Sequence, residues 1–282
     1  MEIIEILKIL FLGIVEGITE WLPISSTGHL LLVDELFTLK ASQDFKDMFF
    51  VVIQLGAILA VPLLFWKRLF PFALEKKSDG KTAITTDKNI LSLWGKVIVG
   101  CVPAGVIGIL FDDFLEAHLQ TPLVISLTLI AYGIAFIVVE NYNKNKELPI
   151  KSTDEITYKH ALLIGLFQVL SLIPGTSRSG ATIIGALIIG VARPAGAEFT
   201  FFLAIPVMLG ASAIKILKFI LASGGFSGVE FGYLLIGTLV AFAVSLFVIK
   251  FLMDFVRKHD FKVFGVYRIG LGALILLLLV LL

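Results

Sequence analysis

The stretch from Glu16 to His29 (EGITEWLPISSTGH) concentrates groups that could do chemistry within an otherwise apolar part of the chain. It holds two carboxylates, serines, threonines and a histidine, and a proline and two glycines interrupt it. An ionisable group at membrane depth costs at least ~2.5–3.5 kcal/mol on insertion scales. Several such groups close together therefore indicate a functional site. A second stretch, Pro174 to Ile183 (PGTSRSGATI), is the expected partner of the first.

The two carboxylates of the first stretch are four residues apart, so on a helix Glu16 and Glu20 share one face. Two like charges that close in a low dielectric repel each other unless a cation lies between them. Such a pair can bind Mg²⁺ or Ca²⁺ through oxygen, or divide acid and base roles. The alternative is that both glutamates only brace or cap a break in the helix.

The hydroxyl groups that follow Pro23 have two readings. Ser25, Ser26 and Thr27 could cap a second half-helix, which is the favoured reading for Ser25 or Thr27 alone. The other reading makes Ser26 a nucleophile activated by a nearby base. His29 lies one turn after Ser26, and beside two carboxylates it is predicted to do general acid/base chemistry rather than to be a satisfied core histidine.

Arg178 is the strongest signal in the second stretch, because a guanidinium is always charged and its fork matches two phosphate oxygens. The further positions predicted to bind the same phosphate are Ser25 and Thr27 of the first stretch and Ser177, Ser179, Gly180 and Thr182 of the second. If a half-helix begins at Ser179, its free N–H groups face that anion as well. The alternative is a buried ion pair with Glu16 or Glu20 that holds the two stretches together. The two readings are compatible, since Arg178 can exchange a glutamate for phosphate.

The elements that must position these residues are membrane helices. Of the 282 residues 58% are hydrophobic, and the mean hydropathy is +0.99, whereas soluble domains are about 45–50% apolar. The net charge of +1 gives no argument for a nucleic-acid partner. Six spans are predicted, at residues 49–66, 97–111, 119–139, 199–221, 233–250 and 263–282.

Two further apolar segments are broken in the middle. Residues 9–33 are divided at Pro23 and residues 161–192 at Pro174-Gly175, and proline removes a helical hydrogen bond. The pieces of the first segment are too short to cross a bilayer core that needs about 20 helical residues. Both segments are therefore predicted to be re-entrant helical hairpins, whose broken backbone faces protein or a water-filled cavity.

The two halves of the chain resemble each other. A shift of 152 residues aligns Gly13 with Gly165, Ser25 with Ser177, Thr27 with Ser179, and Gly28 with Gly180. One hairpin plus three spans per copy gives an odd number of crossings, so the second copy is inverted. The predicted fold is an all-α polytopic membrane protein, a single domain over 1–282 with an inverted-topology repeat of 1–150 and 151–282.

Loop charge predicts the orientation. Segments 67–96, 141–160 and 250–268 hold seven, four and five Lys/Arg, whereas 34–48, 112–121 and 222–232 hold two, none and none. Loops rich in Lys and Arg stay cytoplasmic. Both termini are then outside, the first hairpin enters from the outside and the second from the cytoplasm.

The two motifs, EGITEWLPISSTGH and PGTSRSGATI, resemble the paired signature motifs of the undecaprenyl-diphosphatases, bacterial membrane enzymes also called bacitracin-resistance proteins. The likeness runs the full length of the chain and includes FFVVIQLGAILAV. It implies hydrolysis of undecaprenyl diphosphate to undecaprenyl phosphate and inorganic phosphate, which recycles the lipid carrier for cell-wall synthesis. It also implies a divalent cation and a site that opens to the outer face of the bacterial plasma (inner) membrane. The positions it carries over are Glu16, Glu20, Ser26, Thr27, His29, Ser177, Arg178 and Ser179.

The mechanism expected from this resemblance has Ser26 attack the terminal phosphate while His29 or Glu20 takes its proton; a direct attack by water is the competing scheme. The main rival function is a transporter or lipid flippase, since inverted repeats with broken helices are typical of transporters. A phosphatase of the phosphatidic-acid type is disfavoured, because SRSGATIIGA is not followed by that family's histidine. A homodimer is a possible assembly.

Overall fold

The computed structural model describes residues 2–76 and 82–281, and most of them are helical. The helices are α1 (Ile3–Thr19), α2 (Ser26–Leu36), α3 (Gln43–Val52), α4 (Gln54–Leu64), α5 (Trp66–Leu69), α6 (Lys88–Leu119), α7 (Pro122–Asn143), α8 (Tyr158–Val169), α9 (Arg178–Ile188), α10 (Arg193–Ser223), α11 (Gly228–Val256) and α12 (Lys262–Leu281). Two short antiparallel strands, β1 (Phe72–Lys76) and β2 (Thr82–Thr86), pair with each other. Single 3₁₀ turns lie at Thr153–Glu155 and Leu170–Leu172.

Six helical segments in the described part of the chain are long and apolar enough to cross a membrane, with α3 and α4 together forming one of them (Gln43–Leu64), which confirms the six predicted spans. Their ends differ from the prediction. Helix α6 continues to Leu119 and takes in most of the segment 112–121 that the charge pattern predicted as a loop. The prediction ended this span just before its first charged residue, whereas a helix need not end where its apolar run ends.

The lysine-rich segment after the first span was predicted as a loop and contains regular structure. Helix α5 and the hairpin of β1 and β2 occupy part of it, with Phe72 opposite Thr86, and α6 already begins at Lys88. Asp87 ends the hairpin and caps α6, because its carboxylate accepts the N–H groups of Asn89 and Ile90.

Each half of the chain contains one helix that stops inside an apolar run, and the helix that follows the break is capped by a serine. In the first half α1 ends at Thr19 and α2 starts at Ser26; in the second half α8 and its 3₁₀ turn end at Leu172 and α9 starts at Arg178. The residues before the two restarts, Ser25 and Ser177, have φ angles of 73° and 69°. They are the non-glycine residues with positive φ among those described, and this conformation is uncommon for side chains other than glycine. The two breaks therefore share one backbone geometry.

The two broken helices pack against long helices of the opposite half. Helix α1 lies along α11, where a Cβ added to Gly13 would be 2.9 Å from the Gly237 carbonyl oxygen. Helix α8 lies along α6, where a Cβ added to Gly165 would be 2.2 Å from the Gly100 carbonyl oxygen. Glycine at these positions lets the backbones touch, as is common between membrane helices. In both pairs, later residues of one helix contact later residues of the other, so the two helices of each pair run parallel.

Helices α7 and α12 form a reciprocal contact between the halves. A Cβ on Gly133 would meet the carbonyl oxygen of Gly265 at 2.6 Å, and one on Gly265 would meet that of Gly133 at 2.7 Å. Gly272 approaches the carbonyl of Ser126 in the same interface, so the two helices run antiparallel. Each half thus contributes a helix whose glycine lets the backbone of the other half approach closely.

A buried carboxylate connects three helices near one end of this pair. Glu140 at the end of α7 is 1% exposed, and both of its oxygens accept from the guanidinium of Arg193 at the start of α10. Its Oε1 also accepts the N–H of Phe261, just before α12. These charge-assisted bonds fix where α10 and α12 begin.

Candidate active site

The two breaks meet at a buried ion pair. An Nη2 of Arg178, at the start of α9, donates to Oε1 of Glu20, at the end of α1, over 2.9 Å. Their side chains are 9% and 6% exposed. Breaking such a pair leaves an unpaired buried charge, which costs about 3–5 kcal/mol. The pair therefore holds the first stretch against the second.

Glu20 also contacts the serine predicted as nucleophile. The Ser26 hydroxyl donates to Oε2, the other carboxylate oxygen of Glu20, over 2.9 Å. Ser179 adds a second link between the breaks, since its hydroxyl donates to the Glu20 carbonyl oxygen over 3.3 Å. The structure thus brings Glu20, Ser26 and Arg178 into one continuous chain of contacts.

Glu16 lies one turn before Glu20 and is completely buried. It is close to both Glu20 and Arg178, yet neither of its carboxylate oxygens has a hydrogen-bond partner. No group of three or more Asp, Glu, His or Cys side chains with the arrangement of a metal site occurs in the described residues. Two carboxylates suit a hard cation whose remaining ligands come from phosphate and water, which is the way Mg²⁺ is commonly held.

The two ring nitrogens of His29 have partners other than the Ser26 hydroxyl. Its Nδ1 is 2.7 Å from the Ser25 carbonyl oxygen, and its Nε2 is 2.7 Å from the hydroxyl of Tyr267 on α12. Both ring nitrogens are therefore engaged. Of the two bases proposed for Ser26 on sequence grounds, Glu20 is the one within hydrogen-bond distance in this structure.

The remaining positions predicted to bind phosphate have varied surroundings. Ser25 and Ser177 act as N-caps, because their hydroxyls accept the N–H of Gly28 at 3.4 Å and of Gly180 at 3.2 Å. Helix α9 begins at Arg178, one residue earlier than expected. The N–H groups of Arg178 and Ser179 precede the first intrahelical bonds of α9 and are the ones left for an anion.

The side chains of the other predicted phosphate ligands point elsewhere. Thr27 is exposed. The Thr182 hydroxyl donates to the Arg178 carbonyl within its own helix over 2.8 Å. It also accepts from the Thr200 hydroxyl over 2.9 Å. Ser177 and Ser179 remain near the site, with their hydroxyls 3.0 Å apart.

The Arg178 guanidinium is oriented by residues that the sequence reasoning did not single out. Its Nη1 donates to the backbone carbonyl of Thr200 on α10 over 2.8 Å. Its carbon lies 5.8 Å from the centre of the Trp21 ring, which is a cation–π distance. Thr200 was predicted only as part of a span, and nothing in its sequence context distinguishes it from other span residues.

Arg268 on α12 is a second buried guanidinium at the breaks, and the sequence reasoning missed it. It is 0% exposed, and its Nη1 donates to the Pro23 carbonyl over 3.2 Å. Its Nη2 donates to the carbonyls of Gly175 and Thr176 over 2.8 and 2.7 Å. The loop-charge count treated Arg268 as a cytoplasmic loop residue, although it lies within the predicted span 263–282, where an ionisable residue indicates a site.

The site as a whole balances its charges. Glu16 and Glu20 supply two carboxylates, and Arg178 and Arg268 supply two guanidiniums, of which only the pair of Glu20 and Arg178 is in direct contact. A diphosphate brings further negative charge into this enclosed region. A cation beside Glu16 and Glu20 would offset that added charge.

Known proteins match this chain over nearly its whole length. The family model of "Bacitracin resistance protein BacA" matches residues 9–274. A protein of Enterococcus faecalis named undecaprenyl-diphosphatase is 63% identical over 99% of this chain and 98% of its own length. Proteins of the same name from Desulfitobacterium hafniense and Lachnoclostridium phytofermentans are 55% and 56% identical over 98% of this chain and 97% of theirs. The resemblance seen in the two motifs is confirmed, and the chain belongs to the bacitracin resistance protein BacA family.

Proposed function

We propose that this chain is a multi-pass membrane phosphatase that hydrolyses undecaprenyl diphosphate to undecaprenyl phosphate and inorganic phosphate. The name undecaprenyl-diphosphatase, carried by relatives at 55–63% identity over nearly the whole chain, supports this activity. The structural observation that carries it is the double contact of Glu20 with Ser26 and Arg178. A hydroxyl, its base and a phosphate-binding fork are assembled in one buried place.

The reaction proposed for this geometry has two steps. The terminal phosphate binds to Arg178 and to the N–H groups at the start of α9, and it replaces Glu20 on the guanidinium. Ser26 Oγ attacks phosphorus in line, its proton passes to Glu20, and the bond from phosphorus to the bridging oxygen breaks, so that undecaprenyl phosphate leaves. Water then attacks the phosphoserine and loses a proton to a second base, the Oγ–phosphorus bond breaks, Glu20 returns its proton to Ser26 Oγ, and inorganic phosphate leaves.

The divalent cation implied by the family fits the first stretch. Glu16 and Glu20 would hold Mg²⁺ or Ca²⁺, and the buried oxygens of Glu16 that have no hydrogen-bond partner support this assignment. When bound, such an ion supplies positive charge that offsets the charge developing on the phosphate oxygens. Glu20 would help to hold the ion and would keep its bond to Ser26.

The proposed architecture is a pair of re-entrant hairpins in an inverted repeat. Three observations support it: the shared backbone geometry at Ser25 and Ser177, the exchange of α1 and α8 between the halves, and the reciprocal contact of Gly133 with Gly265. A chain that alternates direction at every span, with both hairpins re-entrant, makes α1 parallel to α11, α8 parallel to α6 and α7 antiparallel to α12. The observed helix directions agree with this topology.

The proposed orientation has the site open to the outer face of the bacterial plasma membrane. When buried Arg268 is left out of the count, the segment 250–268 still holds four Lys/Arg, whereas 222–232 holds none. The positive-inside rule then still places both termini outside. The predicted homodimer stays a hypothesis, which light scattering of the purified protein tests.

Phosphate release from a prenyl diphosphate by the detergent-purified protein tests the function. We expect Mg²⁺- or Ca²⁺-dependent turnover in the wild type and a loss of at least 100-fold, roughly, in Ser26→Ala, as for other positioned nucleophiles. Arg178→Lys should be impaired as well, because a point charge cannot replace the bidentate fork. Ser223→Ala is the control, since Ser223 lies at the far end of α10 and bonds only locally.

The results separate the rival schemes. Near-normal turnover in Ser26→Ala would favour direct attack by water. No phosphate release by the wild type, together with passage of the intact lipid across vesicle membranes, would favour the transporter or flippase function instead.

A further inference from the structure

We propose that Tyr267 is a positioning residue for His29, and the inference rests on the proposed phosphatase function. The two side chains come from α12 and α2, 238 positions apart, and the Tyr267 hydroxyl lies 2.7 Å from Nε2 of His29. Their rings are nearly parallel, with an interplanar angle of 6° and centroids 5.6 Å apart. A hydrogen bond and a stack together fix both the direction and the plane of the imidazole.

The contacts of the two ring nitrogens assign the tautomer. A backbone carbonyl can only accept, so Nδ1, which is 2.7 Å from the Ser25 carbonyl oxygen, carries a proton. In the neutral ring Nε2 is then the acceptor, and the Tyr267 phenol donates to it. Tyr267 therefore keeps the lone pair of Nε2 directed to one place.

The position of Tyr267 is itself fixed by its neighbour in the chain. Arg268 donates to carbonyl oxygens of both breaks, at Pro23 and at Gly175 and Thr176. Helix α12 is thereby held against the start of α2, and Tyr267 is held with it. The distance from Tyr267 to His29 is thus set by the same contacts that set the geometry of the breaks.

This arrangement gives His29 a task different from that of Glu20. Glu20 already contacts the Ser26 hydroxyl, whereas the Nε2 of His29 faces Tyr267. Tyr267 itself is 47% exposed, so the pair lies at the edge of the buried site. The proton of the water that attacks the phosphoserine in the second step of the proposed reaction can reach Nε2 through this bond, because the Tyr267 hydroxyl accepts the water's proton as it donates its own to His29.

A double-mutant cycle tests whether Tyr267 acts through His29. We expect Tyr267→Phe, which keeps the ring and its stack, to lower kcat roughly 3- to 10-fold, the range of one hydrogen bond, with KM little changed. His29→Ala should cost more, on the order of 100-fold. In the His29→Ala background the further change Tyr267→Phe should have almost no effect, because the group that Tyr267 positions is gone.

The matched control is Tyr233→Phe on α11, a tyrosine that packs against Phe45 away from the breaks. Its kcat should equal that of the wild type. Equal losses from Tyr267→Phe in both backgrounds, or an unchanged kcat in Tyr267→Phe, would overturn the proposal. Wild-type protein without phosphatase activity would instead refute the proposed function, so the two failures are distinguishable.

A spectroscopic measurement checks the hydrogen bond without turnover. The chain has four histidines, so ¹⁵N-labelled histidine gives few ring signals, and His29→Ala identifies those of His29. We expect the Nδ1–H tautomer in the wild type and a shift of the Nε2 signal toward that of a free nitrogen in Tyr267→Phe. An identical Nε2 signal in both proteins would show that the phenol does not donate to His29.

Discussion

Glu20 uses its two carboxylate oxygens for two different partners, so one side chain contacts residues of both breaks. Oε2 accepts from Ser26 and Oε1 accepts from Arg178. In the proposed reaction the terminal phosphate takes the place of the Glu20 carboxylate on the guanidinium, while Oε2 keeps its bond to Ser26. Binding of the phosphate and positioning of the nucleophile would thereby be coupled through one residue.

Arg268 is expected to be needed for the geometry of both breaks. Its fork serves three backbone carbonyls, and a lysine cannot reach all three with the same planar arrangement. Each buried carbonyl left without a donor costs about 1–3 kcal/mol. We therefore expect Arg268→Lys to lower the Tm in detergent and to reduce phosphate release together.

The control for Arg268→Lys is Arg257→Lys, whose guanidinium is 62% exposed and lies 3.5 Å from Asp254. An exposed pair of this kind contributes about 0–1 kcal/mol, so its Tm should be nearly unchanged. An Arg268→Lys protein with the Tm and activity of the wild type would contradict the assigned role.

At the scale of elements, the two breaks share one backbone design but carry different chemistry. Ser25 and Ser177 adopt the same positive φ and cap the helix that follows. The next residue is a serine at the first break, Ser26, and an arginine at the second, Arg178. The shared backbone geometry therefore provides two helix starts, and the proposed roles of nucleophile and phosphate ligand are divided between them.

The contact of α8 with α6 should tolerate no added side-chain atom. A Cβ on Gly165 would be 2.2 Å from the Gly100 carbonyl oxygen, so the helices must separate. We expect Gly165→Ala to destabilise the protein by roughly 1–3 kcal/mol, as overpacking does. Thermal unfolding in detergent measures this.

The same substitution at Gly105 is the matched control, because a Cβ there meets nothing within 4 Å. Gly105→Ala should leave the Tm unchanged or slightly higher, since alanine favours helix over glycine by up to about 1 kcal/mol. Equal Tm values for the two variants would contradict the close packing of α8 on α6.

The sequence predicted the breaks and the spans well, because their signals are local. Pro23 and Pro174 predict the breaks, and long apolar runs predict the spans. Contacts such as Arg268 with Pro23 or His29 with Tyr267 join residues more than two hundred positions apart, and no local pattern specifies them. The hairpin of β1 and β2 was missed for another reason, since its polar residues have the composition of a loop.

At the scale of the whole molecule, the proposed orientation makes a labelling prediction. Cys101 is the single cysteine, so its replacement by alanine gives a background for new cysteines. In intact cells, we expect a membrane-impermeant maleimide to label Ala222→Cys and to spare Asn145→Cys and Lys258→Cys until the membrane is opened. All three positions are exposed. Labelling of Asn145→Cys in intact cells would contradict this topology and would place the segments rich in Lys and Arg outside.

The exchange of α1 and α8 between the halves has a consequence for how the protein is made. A chain emerges from the ribosome with its N-terminus first, so Gly13 on α1 must wait for Gly237 on α11 before the two backbones can touch. Glu20 must likewise wait for Arg178. The first half therefore inserts into the bilayer before Glu20 has its partner. The proposed site can be complete only when most of the second half has been synthesised.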